Sequence, residues 1–387
     1  MIIISEKRDC CGCAACIQIC PNQCISFKED KHGFRYPEVN SSKCLDCKLC
    51  EKVCPVLNQR SPKAPIAVFA GINSDDEIRS KSSSGGVFTS LAEYVIKSGG
   101  VVFGAGFDCD WEVEHIYIET ENDLHKLRGS KYLQSRIGNT FIKTREFLNQ
   151  GRTVLFSGTS CQIAGLKRYL RKEYINLITV DVVCHGVPSP LVWREYLNFL
   201  LQRHESVLKE DIKTISFRDK VTGWKNYSIT MTAFDDNVMF HETHNKNLVM
   251  RLFLANLSLR PSCFKCPAKQ GKSHSDITLA DYWGIERFHP EIDDDKGTSM
   301  LLVNTDKGMQ YLRNLSLVLH ETSYSEALHG NPSIVESASE NKHYNQFWRA
   351  FEIKGITVAD RYLRKCRPNL ISRIVTRVKF ILRSVHI

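Results

Sequence analysis

The stretch CCGCAACIQICP, residues 10–21, places five cysteines in twelve residues, and a related run, CLDCKLCEKVCP, follows at residues 44–55. In the first run Cys10, Cys13, Cys16 and Cys20 obey C-x2-C-x2-C-x3-C, with Pro21 next. In the second, Cys44, Cys47, Cys50 and Cys54 repeat it before Pro55. Three thiolates two residues apart wrap one face of an iron–sulfur cube, because tight turns aim successive sulfurs inward. The fourth, followed by a chain-turning proline, reaches across to the other cube. The spacing therefore predicts one [4Fe-4S] cluster on Cys10, Cys13, Cys16 and Cys54, and another on Cys44, Cys47, Cys50 and Cys20. C-x2-C pairs also bind zinc, but zinc requires neither the third cysteine at this spacing nor the proline.

Residues 5–57 resemble a bacterial two-cluster ferredoxin. Cys11 and Cys24 fall outside the pattern: Cys11 adjoins a ligand and cannot easily share its cluster, and Cys24 reads as a small apolar filler. Two such cubes relay single electrons but do no bond chemistry alone. The rest of the chain should supply an electron partner or a docking surface.

The 387 residues allow two or three domains, and 42% hydrophobic with 25% charged residues is a globular composition. No apolar run is long enough to span a bilayer, and the start MIIISEKRD reverses the order of a secretory signal. The expected location is cytoplasmic, where sixteen cysteines read as metal ligands or redox groups rather than disulfides. Eight of the nine net positive charges lie in residues 361–387, so the body is nearly neutral and no nucleic-acid partner is expected.

NQRSPKAP (58–65) reads as a linker. Beyond it strands alternate with helices: IAVFAGI (66–72), SSSGGVFTSLAEYVIKSGG (82–100), VVFGAGF (101–107), then TVLFSGTSCQIAGLKRYLRK and LITVDVVCHGVPSPLVWREYLNFLLQR. NYSITMTAFDDNVMFHE reads as a hairpin, NLVMRLFLANLSL as a helix, and SDITLADYWGI and TSMLLVN as strands. The predicted fold is an α+β ferredoxin-like N-terminal domain followed by an α/β body with a mostly parallel or mixed sheet. The expected divisions are 1–58 (ferredoxin), 59–145, 146–330, and a helical region, 331–387.

Ligands in such sheets gather beyond the carboxyl ends of the strands, and Cys161 and Cys184 each follow a buried strand. Cys263 and Cys266, in RPSCFKCPAK, bring the number to the four that a third [4Fe-4S] cluster needs. The bland alternatives are small buried cysteines and half of a zinc site. Cys109 and Cys366 have no comparable setting.

Residues 66–330 resemble the family of coenzyme F-420 hydrogenase/dehydrogenase beta subunits through KSSSGGVFTSL, LRGSKYLQS, FSGTSCQIAGL, VVCHGVPSP, ISFRDKVTGWKNYS, RPSCFKCPAK, SDITLADYWGI and DKGTSMLLVNT. The family usually has proline before the cysteine of GTSCQ, where this chain has Ser160; a change in turn stiffness, not a lost ligand, is expected. The resemblance implies FAD. Ser83, Ser84, Gly85 and Gly86 open a helix whose amide groups and dipole suit a pyrophosphate or a flavin edge. Lys131 is the candidate charge near the ring, with Gln134, Ser135 and Gly158 as further contacts. Serine before a helix is also an ordinary cap, and a lone lysine is ordinarily solvated. His185 reads as a hydrogen-bond partner of the third cluster, with protonation of a substrate as the alternative, and Asp281 as either a site residue or a turn former.

The expected function is an iron–sulfur flavoprotein oxidoreductase that relays single electrons through [4Fe-4S] clusters to or from FAD and an unidentified organic small molecule. A redox protein or ferredoxin-type donor would be its partner. Some relatives are associated with surface-polysaccharide biosynthesis. The alternatives are an electron-transfer subunit without its own substrate and an iron–sulfur redox sensor. Leu370, Ile374, Val378, Ile381 and Val385 share a helical face with arginines around it, which reads as a basic tail for peripheral contact with the inner membrane face, or as a terminal helix packed on the body.

Overall fold

A computed structural model describes residues 1–203 and 208–366. In the cysteine-rich segment, β1 (Ile25–Glu29) and β2 (Arg35–Val39) form an antiparallel hairpin. The body follows with β3 (Ala67–Asn73), β4 (Val101–Phe107), β5 (Val113–Ile118), β6 (Val154–Thr159) and β7 (Leu177–Val182). A separate antiparallel sheet contains β8 (Ile212–Asp219), β9 (Ser228–Ala233) and β10 (Val238–Thr243), with the last two forming the hairpin read from the sequence. The chain then returns to the main sheet with β11 (Ile277–Asp281), β12 (Ser299–Val303) and β13 (Leu317–Thr322).

The main sheet has eight strands in the order β13-β3-β12-β11-β7-β6-β4-β5. Its centre is parallel, β4 to β6 to β7 to β11, and antiparallel pairs complete both sides. The sheet is therefore mixed. The central runs VVF, VLF and LITVD are buried along their length, as expected where helices cover both faces. The helix Val87–Lys97 sets Val87, Leu91 and Val95 against β4, β6 and β12 in one core cluster, and Phe141 and Ile163 cover the other face.

The cysteine-rich segment is built into the body. Phe34 and Tyr36 of its hairpin belong to the same buried cluster as Trp193, Tyr344 and Trp348. His32 stacks on Trp348 with ring centroids 4.1 Å apart. The stretch read as a linker is fastened too: Gln270 O accepts from Lys63 N at 2.9 Å, and Asn58 O accepts from the Arg168 guanidinium at 2.5 Å. Among the described residues no helix is long and apolar enough to cross a membrane. The basic amphipathic tail lies outside the described residues.

Candidate functional site

The two cysteine runs fold alike. Ala14 and Lys48 take left-handed conformations, φ 63° and 58°, and each leads into a one-turn helix, Ala15–Gln18 and Leu49–Lys52. Cys10, Cys13, Cys16 and Cys54 are near one another, with Cys50 close by: Cys16 is pushed up by burial and by Cys10, Cys54 and Cys50, Cys54 by burial and by Cys10 and Cys50, and Cys13, against the pull of Cys11, by burial and by Cys16 and Cys54. Cys20, Cys44, Cys47 and Cys50 line a second cavity of about 360 Å³. Cys24 lines it too, its Sγ 3.3 Å from that of Cys20. Cys47 is exposed, which brings this group to the surface.

Cys161, Cys184, Cys263 and Cys266 share a larger cavity, about 780 Å³ counting its open mouth. Cys161 sits in the first turn of the helix Ser160–Leu170, directly after β6, and Cys184 two residues after β7. Cys263 and Cys266 arrive on the 3-10 turn Pro261–Lys265 and its C-cap. The site thus forms at the carboxyl ends of neighbouring parallel strands. Burial, with Cys161 and Cys266 nearby, pushes Cys184 up to about 12 against the pull of Lys269, and burial takes Cys266 to about 11. Thiols so held keep their protons until a metal replaces them. Among the described residues no three His, Cys, Asp or Glu side chains close on a single metal ion. Thiolates on a cube stand one per iron at separate corners, a wider spacing than four sulfurs around one zinc.

Ser160 occupies the first helical position, with Thr159 as N-cap and Gln162 completing a capping box. Proline is tolerated there because that N–H has no intrahelical partner, so serine leaves the turn and Cys161 in place.

Cys11 also lines the large cavity, its thiol facing those of Cys13 and Cys161. It stands between the first and third sulfur groups. Two glycines permit this approach. A Cβ on Gly165 would lie 2.8 Å from Cys13 Cβ and 2.9 Å from Cys13 Sγ, so the helix that carries Cys161 rests directly on the first group. Gly12, at φ +72°, presses the loop onto Gln134 and Arg260: a Cβ there would lie 2.6 Å from Gln134 Nε2. Gln134 donates to Cys11 O at 3.1 Å and accepts from Arg260 Nη1 at 2.8 Å.

The residues named for flavin have these partners. Ser83 Oγ accepts from Ser130 N at 2.7 Å, Ser84 Oγ donates to Thr298 O at 2.7 Å, and Gly85 N donates to Ser299 Oγ at 3.0 Å. Gly86, not a serine, is the N-cap of the following helix and offers no side-chain cap. Arg218 Nη2 reaches Ser83 O and Lys220 Nζ reaches Ser84 O, which places two cations at the turn. Lys131 Nζ caps the carbonyls of Arg128 and Gly129, each at 3.2 Å, and burial pulls it down to about 7. Ser135 pairs with His115 Nδ1 at 2.9 Å and accepts from Gln162 Nε2 at 2.8 Å. Gly158 lies against Gln162 and His115.

His185 borders the large cavity and pairs through Nε2 with Asn256 Oδ1 at 2.6 Å. Asp281, at the end of β11, forms a bidentate pair with buried Arg218 (2.8 and 2.9 Å) and accepts from Trp224 Nε1. It anchors the ISFRDKVTGW and LADYWG stretches to each other. Arg218 Nε is buried without a partner. Sequence reasoning misses Cys11, Arg260 and Lys269; the RPSCFKCPAK stretch contains the last two, but only the packing gives them a role.

Residues 9–58 match a 4Fe-4S dicluster domain. Residues 68–140 match the N-terminal part, and 151–323 the C-terminal part, of the coenzyme F420 hydrogenase/dehydrogenase beta subunit. An F(420)H(2) dehydrogenase subunit of Methanosarcina mazei is 22% identical over 45% of this chain and 53% of its own length. The coenzyme F420-dependent sulfite reductase of Methanocaldococcus jannaschii is 26% identical over 50% of this chain and 30% of its own length. The chain thus spans about half of the first relative and under a third of the second. Ferredoxin YfhL of Escherichia coli is 36% identical over 15% of this chain and 65% of its own length. A chain of the F420-reducing [NiFe] hydrogenase complex from Methanosarcina barkeri superposes with a TM-score of 0.46 at 17% identity, over 76% of this chain and 91% of that one. Behind an iron–sulfur dicluster domain, this chain belongs to the family of coenzyme F420 hydrogenase/dehydrogenase beta subunits.

Proposed function

We propose that the protein is an iron–sulfur flavoprotein oxidoreductase in which three [4Fe-4S] clusters connect an outside redox protein to FAD and an organic small molecule. One observation carries this reading: Cys161, Cys184, Cys263 and Cys266 line one cavity beside the first sulfur group, with Cys11 at the join. Cys10, Cys13, Cys16 and Cys54 hold the first cluster, Cys44, Cys47, Cys50 and Cys20 the second, and the cavity thiols the third. FAD, when bound, would supply the exchange of electron pairs as hydride and their onward transfer as single electrons, as cubes require.

The chain's own residues do the rest. Cys47 brings the second site to the surface, where a protein partner can approach. The first and third sites lie deeper in the fold, with Cys11, Cys13, Cys16 and Cys54 buried and the cavity thiols half-buried. The turn Ser83–Gly86 supports flavin binding, with an uncapped helix start, Arg218 and Lys220 at its carbonyls, and an orphaned Arg218 Nε. His115, pulled down to about 4 by burial, stays neutral beside Gly158.

The test is chemical analysis after oxygen-free purification. About twelve irons per chain, with one FAD, is the expected result. Full iron with no flavin would remove the centre of the proposal, and about eight irons would remove the third cluster. The Methanosarcina mazei relative is itself one component of a dehydrogenase, which favours a stable protein partner for this chain as well. Peripheral membrane contact through residues 368–387 is part of the proposal and rests on sequence. Unchanged vesicle flotation after their deletion would end it. A role in surface-polysaccharide biosynthesis rests on resemblance alone; a deletion strain with unaltered polysaccharide would exclude it.

A further inference from the structure

Two buried cations border the large cavity, and among the described residues neither forms an ion pair with a carboxylate. Arg260 is 1% exposed. It donates from Nε to Cys10 O at 2.8 Å, from Nη1 to Gln134 Oε1 at 2.8 Å and from Nη2 to Arg35 O at 2.9 Å, and lies 4.3 Å from the Tyr36 ring centroid. Lys269 is 9% exposed and donates to Cys184 O at 2.6 Å and Ser333 O at 2.5 Å. All five acceptors are neutral.

Elsewhere the fold gives buried arginines an acid: Arg79 holds Asp294 bidentately, and Arg218 holds Asp281. An unpaired buried cation is costly, so its counter-charge must come from another source. The groups facing Arg260 are Cys10, Cys11, Cys263 and Tyr36, and those facing Lys269 include Cys184 and Cys266. Asp181, the carboxylate on the cavity wall, is occupied by the hydroxyls of Ser273, Ser275 and Thr278.

We propose that Arg260 and Lys269 set the reduction potentials of the clusters and make the third cluster the most easily reduced of the three. This rests on the three-cluster reading above. Reducing a cube adds one electron and makes no bond, so the added negative charge must be stabilised where it lands. A fixed, buried cation does so strongly. Arg260 touches the loop of the first cluster and the wall of the third, so it acts on both. Lys269 acts on the third alone. The second cavity includes neither; of its two cations, the Met1 ammonium is paired with Asp46 and Glu51, and Lys48 is exposed and screened by solvent. Electrons therefore settle inward, away from the exposed Cys47 end.

The experiment is a titration of the oxygen-free holoprotein with sodium dithionite and redox mediators, each cluster followed by paramagnetic resonance. Arg260→Met should make the first and third clusters harder to reduce by at least tenfold each, which is 59 mV for one electron. Lys269→Met should move the third only. The second cluster should hold still in both, and Arg260→Lys should stay near wild type. If Arg260→Met loads its clusters with unmoved potentials, the proposal is overturned. If it loses iron while Arg260→Lys keeps it, the charge requirement stands. If both lose iron, Gln134→Glu decides, because it keeps Arg260 and supplies a carboxylate: a negative shift supports the proposal, and no shift overturns it. Iron loss from all three variants marks a structural clamp and overturns it as well. A wild-type chain with fewer than three clusters fails the underlying reading and takes this inference with it, whereas three clusters with unmoved potentials fail the inference alone.

Discussion

Replacing Gly165 with alanine sets two effects against each other. Within a helix, alanine is favoured over glycine by about 0.5–1 kcal/mol. Here the new methyl would lie 2.8 Å from Cys13 Cβ and 2.9 Å from Cys13 Sγ. Neither atom can retreat freely: Cys13 is buried, and its loop is held by the contacts of Gly12 with Gln134 and Arg260. Overpacking of this kind costs about 1–3 kcal/mol. The clash therefore outweighs the helix gain, for a net loss on the order of 1 kcal/mol. Urea unfolding under argon, followed by circular dichroism and by the visible absorbance of the clusters, measures the difference. The midpoint should fall, and the colour should bleach at lower urea than in wild type. A midpoint that rises, as helix preference alone requires, would refute the close seating of the Cys161 helix on the first sulfur group.

Three further outcomes follow from the geometry. Cys11→Ala should retain the full iron content, since Cys11 stands between the two proposed ligand sets; a loss of about four irons would make it a ligand. Asp281→Asn leaves the buried Arg218 guanidinium without its carboxylate and should cost about 3–5 kcal/mol in chemical denaturation, with flavin occupancy falling as the Ser83 turn loosens; an effect under about 1 kcal/mol would contradict the pair's burial. His115 is pulled down to about 4 by burial, with Lys131 adding to the shift against the Ser157 carbonyl. The unfolded chain takes that proton near pH 6.5 and the folded one only near 4, so stability is full above 6.5 and is lost as pH falls through that window, by roughly 3 kcal/mol in all. His115→Gln should flatten this part of the stability–pH curve; an unchanged slope would assign the loss to other groups.

The ferredoxin portion was legible because its chemistry is local. Spacing and a following proline suffice to aim sulfurs, and the left-handed Ala14 and Lys48 do in three dimensions what the repeat does in sequence. The central parallel strands were legible as continuous apolar runs. β13 was not, because LVLHET is a half-exposed edge strand whose alternation carries little signal. Cys161 and Cys184 group by strand-end position and Cys263 and Cys266 complete the number, and all four line one cavity. Cys11 falls outside the repeat because it adjoins Cys10, yet adjacency in the chain turns its sulfur toward a different cavity. Gln134 and Ser135 stand out only as flavin contacts. Their partners, Cys11 O, Arg260 and His115, are far away in sequence, and no spacing rule predicts such pairings. Arg260 looks like any basic residue until its lack of an acid can be seen.

Phe34 and Tyr36 have one more consequence. A carrier that lends two aromatic rings to its neighbour's interior cannot commute: it has no hinge on which to swing between donor and acceptor, and it cannot be cut away without leaving a hole in one piece and a greasy face on the other. Traffic with the outside must therefore come to a fixed dock, and exchange should depend on how visitors collide with that face rather than on any tethered arm in motion.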